Sequence, residues 1–243
     1  MIIEGYKFFL KGYKSKYGDF QFKVGEKYEH KGKIEMCRLG FHFSRTLQDA
    51  FYYNGNITYH CCKVEGSGEI DEEIDKVVCS KIYIKEELDF NRILEKLSKI
   101  PYWVIRWMVA ANPNCSVNIL SNLSNDGDDD VKEAVITNSK CSVEILEKLS
   151  KNPRFKHVII KLPHCPIKML EEESDGGFFI REKVAANSSC PVEILEKLSK
   201  DQFWEVRCKV AKNVNCPKYV LKELSEDKDI DVRYAAMNSL ERK

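Results

Sequence analysis

The chain of 243 residues lacks an excess of charge of either sign, since 39 lysines and arginines face 38 aspartates and glutamates and leave a net charge of +1. A protein that binds nucleic acid through a basic surface normally carries a clear basic excess, so this balance does not favour that class. No stretch approaches the roughly 18 apolar residues of a membrane-spanning helix. The opening MIIEGYKFFLKGYK has neither the apolar core nor the cleavage site of a signal peptide. We therefore expect a cytoplasmic protein without a membrane span.

Cysteine is abundant, with ten in the chain, but no Cys-x-x-Cys pair occurs. A disulfide framework is not expected without an export signal. Five of the cysteines recur at regular intervals, which is typical of a structural repeat. We predict ten reduced thiols, mostly buried as small hydrophobic side chains, with no metal site and no cofactor.

A repeat of 24 to 26 residues occupies the chain from residue 89 onward. Each unit contains an apolar doublet, and all except the unit of Met169-Leu170 have a further leucine three residues later, as in Ile194-Leu195 and Leu198. This spacing indicates a helix, and each unit has room for two short helices that become stable only when neighbouring units stack. Residues 89–243 are therefore predicted to form an all-α solenoid of about six two-helix units. A cysteine precedes the doublet in five units: Cys115, Cys141, Cys165, Cys190 and Cys216.

The combined pattern Val-Arg-x-x-Val-Ala-x-Asn-x-x-Cys-Pro-x-x-Ile-Leu-x-x-Leu-Ser resembles the leucine-rich repeat variant family and, more loosely, HEAT repeats. The resemblance covers residues 89–243 and implies short α- and 3₁₀-type helices in a curved superhelix. It implies nothing about catalysis. A founding member of the family carries an iron–sulfur cluster on a separate cysteine segment. This chain has no comparable group of closely spaced cysteines, so that cofactor is not carried over.

Residues 1–88 contain short runs of aromatic and β-branched residues between Gly, Asn and charged turns, a pattern typical of strands. One helix is predicted over residues 46–53, with Ser44 or Thr46 as its N-cap. This region is predicted to be a small α+β domain with a largely antiparallel sheet, so the whole chain is α+β with a domain boundary at residues 88 and 89. The predicted strands cover residues 6–10, 20–24, 41–44, 57–64 and 77–85.

Residues 5–8, 20–30 and 40–44 resemble a small uncharacterised domain of phage and bacterial proteins, a family without assigned chemistry. Together with the lysine-, isoleucine- and asparagine-rich composition, this resemblance implies a role in phage–host conflict, such as inhibition of a bacterial defence protein.

Residues 40–44 and the helix segment 50–53 are also similar to a segment of ADP-ribosyltransferases. In such enzymes a Ser/Tyr pocket holds nicotinamide and a later glutamate polarises the ribose. The resemblance implies an NAD-using site, with Glu69 and Glu86 as other candidates for the glutamate. The competing interpretation is that His42 lies in a strand and packs under the helix. The site residues under the enzyme interpretation are His42, Ser44, Tyr53 and Glu65.

Two polar columns run through the second helices of the repeats. Asparagines are expected to end these helices and to hydrogen-bond free backbone groups of adjacent turns: Asn112, Asn138, Asn187, Asn213 and Asn238. The basic column contains Arg106, Lys132, Arg181, Arg207 and Arg233. Arg207 and Arg233 are expected to pair in a structural ladder with Glu205 or Asp231 of adjoining units.

Lys132 and Arg106 are expected to be the more exposed members of the basic column, and both are expected, with Arg181, to contribute to partner binding. The third unit is irregular and adds two further basic residues. The partner-binding candidates are Arg106, Lys132, Arg154, Lys156 and Arg181.

The main functional hypothesis is a non-enzymatic interaction protein whose solenoid binds a protein partner, because stacked repeats supply an extended surface. One alternative is the NAD-using enzyme in residues 1–88. A second alternative is a solenoid that binds nucleic acid through the basic column, which the near-neutral net charge disfavours.

Overall fold

The computed structural model describes residues 1–16, 20–54 and 59–242. Backbone contacts divide the chain into two compact units, Met1–Lys140 and Cys141–Lys243. An antiparallel sheet in the first part of the chain is followed by helix pairs, which confirms the predicted α+β fold class. The domain boundary at residues 88 and 89 stays a prediction, because the contacts divide the chain between residues 140 and 141. No helix in the described ranges is both long and apolar enough to cross a membrane.

The sheet of the first unit is entirely antiparallel, in the order β1-β4-β5-β2, with β3 also paired to β5. Just after β3, Ser44 exchanges two backbone hydrogen bonds with Tyr6 of β1, at 2.7 and 3.1 Å. Helix α1 (Leu47–Asn54) packs against β1, where the rings of Phe51 and Phe8 have centroids 5.5 Å apart. The strands are β1 (Ile3–Phe9), β2 (Lys27–Glu29), β3 (Phe41–Phe43), β4 (His60–Glu72) and β5 (Val77–Leu88).

The sheet differs from the predicted strands in two places. The strand predicted over residues 20–24 does not form, because Phe22 enters the core through ring contacts such as that with Tyr28 at 5.2 Å, while Gln21 makes one isolated bridge. The strand predicted over 57–64 begins at residues 57 and 58, outside the described residues, and β4 runs on to Glu72. The short strand β2 was not predicted from the sequence.

The interior of the sheet is shaped around Phe43. A Cβ atom at either Gly5 or Gly66 would lie 2.5 Å from the Phe43 ring, so both positions need glycine. Lys7 lies on the same face of β1 as Gly5, and its Nζ donates a hydrogen bond to the carbonyl oxygen of His42 at 2.7 Å. Burial lowers the pKa of Lys7 to about 8.

The helices come in pairs, in which the first helix buries an apolar doublet such as Ile194-Leu195. The second helices of successive pairs pack side by side, α3 against α5 in the first unit and α11 against both α9 and α13 in the second. The first unit contains α2 (Phe90–Leu97), α3 (Trp103–Ala111), α4 (Val117–Leu123) and α5 (Asp129–Thr137). The second unit contains α6 (Val143–Leu149), α7 (Pro153–Ile159), α8 (Ile167–Glu173), α9 (Phe178–Ala186), α10 (Val192–Leu198), α11 (Trp204–Lys212), α12 (Lys218–Leu224) and α13 (Ile230–Glu241).

Asparagine side chains link successive pairs within each unit. The Asn213 Nδ2 donates to the carbonyl oxygens of Ala185 and Asn187, at 2.7 and 2.8 Å, and its Oδ1 accepts the backbone N–H of Asn215. Asn138 and Asn187 make the same three kinds of bond. The expected capping role of these asparagines is thus present, with the preceding pair supplying the acceptors.

The two ends of this asparagine column differ from its middle. The Nδ2 of Asn112 is buried and has no hydrogen-bond acceptor in the described part of the chain, because the preceding segment there is β5 and its end, not a helix pair. From the sequence, Asn238 is expected to end its helix. It does not, because α13 continues to Glu241. The tenth residue after the N-cap, which is asparagine in the other cases, is Ser239 in α13.

This contrast leads to a prediction about stability. Asn213→Ala should destabilise the second unit by about 2–4 kcal/mol, since two buried carbonyls lose their donor. Asn112→Ala should destabilise the first unit by about 1 kcal/mol or less, because it removes one accepted bond together with a buried amide that has no acceptor. Urea unfolding, followed for each unit separately, measures both values. Equal losses for the two variants would contradict the stabilising role of the hydrogen bonds that the Asn213 side chain donates to the preceding helix pair.

Candidate functional site

The basic column is part of the structural framework of the repeats. The Arg207 guanidinium binds the Asp227 carboxylate in two places, Nε to Oδ2 at 2.7 Å and Nη2 to Oδ1 at 2.8 Å. Its Nη1 also donates to the carbonyl oxygens of Asp201 and Gln202. Only 5% of the Arg207 side chain and 9% of the Asp227 side chain are exposed. Hydrogen bonds from Arg207 hold the pKa of Asp227 below its ordinary value.

Two other arginines repeat this arrangement. Arg106 binds Asp126 at 2.7 and 2.9 Å, and Arg181 binds Asp201 at 2.5 and 3.1 Å. In every case the aspartate lies 20 residues after the arginine, in the turn that leads into the next second helix. Each aspartate also accepts a backbone N–H from two residues further on, which fixes the turn.

The expected acid partners of the ladder were wrong. Arg207 does pair with an acid of the adjoining unit, but that acid is Asp227 and not Asp231, which is exposed. Arg233 pairs with no carboxylate among the described residues and donates to the carbonyl oxygen of Asp227. The expectation that Arg106 is exposed was also wrong, since 18% of its side chain is accessible.

The remaining partner-binding candidates also have intramolecular contacts. The Lys132 Nζ lies 2.9 Å from Asp129, and the Lys156 Nζ lies 2.6 Å from Glu173. Arg154 is exposed on α7, with its guanidinium carbon 5.9 Å from the centroid of the neighbouring Phe155 ring. A role in partner binding stays a prediction for all five candidates.

The candidate enzyme residues of the first unit do not contact one another in the described residues. Glu65 binds the Lys85 Nζ at 2.7 Å, and the Tyr53 hydroxyl donates to the Asp75 carboxylate. Ser44 is buried beside β1. His42 lies opposite Val78 in the sheet, its buried Nε2 has no hydrogen-bond partner among the described residues, and burial lowers the pKa of the imidazole. An NAD site at these residues stays a prediction.

Exposed aromatic side chains line the second helices of the second unit. The rings of Phe178 and Phe179 have centroids 4.8 Å apart, and those of Phe178 and Phe203 lie 4.6 Å apart, so the exposed rings continue from α9 to α11. We call the exposed members the aromatic row: Phe179 (70% exposed), Phe203 (38%), Trp204 (39%) and Tyr234 (69%). Sequence reasoning missed these residues, although three of them lie at the N-cap or the first two positions of their helices.

An open groove of about 520 Å³ lies along the surface where α11 packs against α13. One wall carries Trp204, Cys208 and Lys212, which follow one another at intervals of four along α11 and so share one face. The Cys208 thiol points at the backbone carbonyl of Asp231, with the two atoms 3.9 Å apart. The opposite wall is formed by α13 and its end, with Asp231, Tyr234, Ala235, Asn238, Ser239 and Arg242.

Comparisons with solved structures give low similarities. A leucine-rich repeat variant with a novel repetitive structural motif shares 19% identity over 63% of this chain and 72% of its own length, with a TM-score of 0.40. A designed armadillo repeat protein in complex with the peptide (KR)4 shares 16% identity over 62% of this chain and 80% of its own, with a TM-score of 0.22.

No curated protein matches the sequence. One family model matches part of the chain, in the region where the sequence resembles an uncharacterised domain. That family is described as a domain of unknown function, DUF7666, and it covers residues 3–96, which include the whole sheet and most of α2.

Proposed function

We propose that this chain is an interaction protein that binds a protein partner through the aromatic row of its second unit. The observation that carries the proposal is that α9, α11 and α13 all expose aromatic rings, with ring contacts from α9 to Phe203 and with Trp204 and Tyr234 lining the groove. Soluble proteins rarely expose a contiguous apolar patch unless it binds something. Trp and Tyr are also the residues most often found at the energetic centre of protein interfaces.

The setting we infer for this interaction is the cytoplasm, in phage–host conflict, with a bacterial defence protein as the partner. Composition and the resemblance of the first residues to a phage and bacterial domain support this setting. The ion pairs of the basic column favour the aromatic row over that column as the contact surface, because Arg106, Arg181 and Arg207 are already bound to carboxylates.

Site-specific cross-linking tests the proposal. A photoreactive amino acid is placed at Tyr234 in the groove. The matched control carries it at Tyr219, an exposed aromatic residue on α12, which is the first helix of its pair. Irradiation in the producing cells should join the Tyr234 variant to one protein of defined mass and leave the Tyr219 variant unlinked. Adducts from Tyr219 alone, or none from Tyr234, would contradict the proposal.

A further inference from the structure

The groove between α11 and α13 exists because two facing positions hold small side chains. Between α9 and α11 the equivalent positions carry Glu182 and Lys209, whose charged groups meet at 3.4 Å and fill the space. Counted from the first residue of each helix, the same positions between α11 and α13 hold Cys208 and Ala235. Both side chains are short and nearly buried, and they form the floor of the groove, where the Cys208 Sγ lies 3.9 Å from the carbonyl oxygen of Asp231 on α13.

The ends of the groove differ in chemistry. Trp204 and Tyr234 give one part aromatic walls, suited to an apolar side chain. Lys212 and Arg242 lie near the ends of their helices, and neither forms an ion pair in the described residues. Asn238 and Ser239 add polar groups between them. The groove thus offers an apolar site at one end and hydrogen-bond donors with two positive charges at the other.

The spacing of the two sites follows from helix geometry. Trp204 and Lys212 are the first and last residues of α11. Eight residues of rise separate them, roughly 12 Å. An extended chain covers this distance in about three to four residues.

We propose that the groove binds an extended peptide segment of the partner that carries one aromatic or branched aliphatic side chain and a carboxylate three or four residues away. The apolar side chain lies between Trp204 and Tyr234, and the carboxylate binds Lys212 and Arg242. This proposal rests on the proposed function and adds the chemistry of the ligand. A peptide suits the site better than a nucleic acid, because Asp231 lines the groove and the chain is nearly neutral.

Fluorescence anisotropy with defined probes tests this ligand chemistry on the full chain. The probe is a labelled Gly/Ser peptide with one central leucine and glutamates three and four residues away on both sides. Control probes carry lysines for the glutamates, serine for the leucine, or glutamates directly beside the leucine, and a fourth control is single-stranded oligothymidine. The acidic leucine probe should bind best, and the dissociation constant of each control should be higher by a factor of roughly ten or more.

Two variants link the binding to the groove. The double variant Lys212→Glu, Arg242→Glu should raise the dissociation constant of the acidic probe by roughly tenfold or more. Cys208→Glu with Ala235→Lys reproduces the Glu182–Lys209 pair, so it should close the groove and abolish binding while the helical circular dichroism is unchanged. Should that variant misfold, the surface variant alone decides.

Tighter binding of the lysine probe or of the oligonucleotide overturns the proposal, and so does failure of every probe to bind. Cross-linking from Tyr234 would still support the proposed function in those cases, so the two failures are distinguishable.

Discussion

Arg207→Ala should destabilise the second unit by about 3–5 kcal/mol, the typical effect of leaving one member of a buried ion pair without its partner. The substitution leaves the nearly buried carboxylate of Asp227 without its guanidinium. It also removes the donor to the carbonyl oxygens of Asp201 and Gln202, which belong to the turn before α11. The loss is measured as the change in the free energy of unfolding in urea at neutral pH.

Arg233→Ala provides the matched control, because Arg233 holds the same position in α13 without a carboxylate partner in the described residues. It should change stability by about 1 kcal/mol or less. The double variant Arg207→Leu, Asp227→Leu should recover much of the loss, since neither charge remains unpaired. If Arg207→Ala unfolds at the same urea concentration as the parent, the ladder has no structural role.

Both units should lose stability as the pH rises from 8.5 to 10. Burial raises the pKa of the Cys62, Cys115 and Cys190 thiols to about 12. It likewise raises the pKa of the thiols of Cys61, Cys79, Cys141 and Cys165. The unfolded chain releases these protons near pH 8.5 and the folded chain holds them, so stability is intact below that pH and falls above it. Each thiol then costs about 2 kcal/mol at pH 10.

Lys7 acts in the opposite direction, because its folded-state pKa of about 8 lies below its unfolded value. Its burial penalty is therefore relieved as the pH rises from 8 towards 10.4. The pKa is raised for four thiols in the first unit and for three in the second, and the gain from Lys7 offsets part of the loss in the first unit. Each unit should therefore lose about 6 kcal/mol at pH 10, comparable with the 5–15 kcal/mol of a whole domain.

Urea unfolding at pH 7.5 and pH 10, in the presence of a reductant, measures the loss. Cys190→Ala should reduce the pH-dependent part for the second unit by about 2 kcal/mol, whatever its effect at neutral pH. Equal stability at the two pH values would show that the thiols ionise in the folded protein.

The helix pairs were predictable because their signals are local. The apolar doublet, the leucine that follows it and the polar break after it lie within ten residues, and five of the six units repeat all three. The strands of the first unit were less predictable, because a strand is defined by what it pairs with. Phe20 and Phe22 have strand-forming side chains, yet the segment forms no strand and buries only the Phe22 ring in the core, while the strand falls on Lys27–Glu29.

The candidate site was not predictable for a related reason. The groove depends on which residues of α11 face which residues of α13, and only the packed helices show that Cys208 and Ala235 lie opposite each other. The acid partner of Arg207 had a signal in the sequence, since an aspartate follows three of the arginines at the same distance of 20 residues. That distance leads to the turn before the next second helix, whereas the expected partner Asp231 lies inside that helix.

The dissociation constant for the partner that cross-linking identifies, measured by calorimetry with the two purified proteins, tests the binding function most directly. Trp204→Ala should weaken binding by about 2 kcal/mol, roughly thirtyfold, because an aromatic side chain at the centre of an interface carries much of its energy. Tyr219→Ala, on the first helix α12, should leave the constant unchanged. Loss of binding in Tyr219→Ala with full affinity in Trp204→Ala would place the interface on the other face and contradict the account.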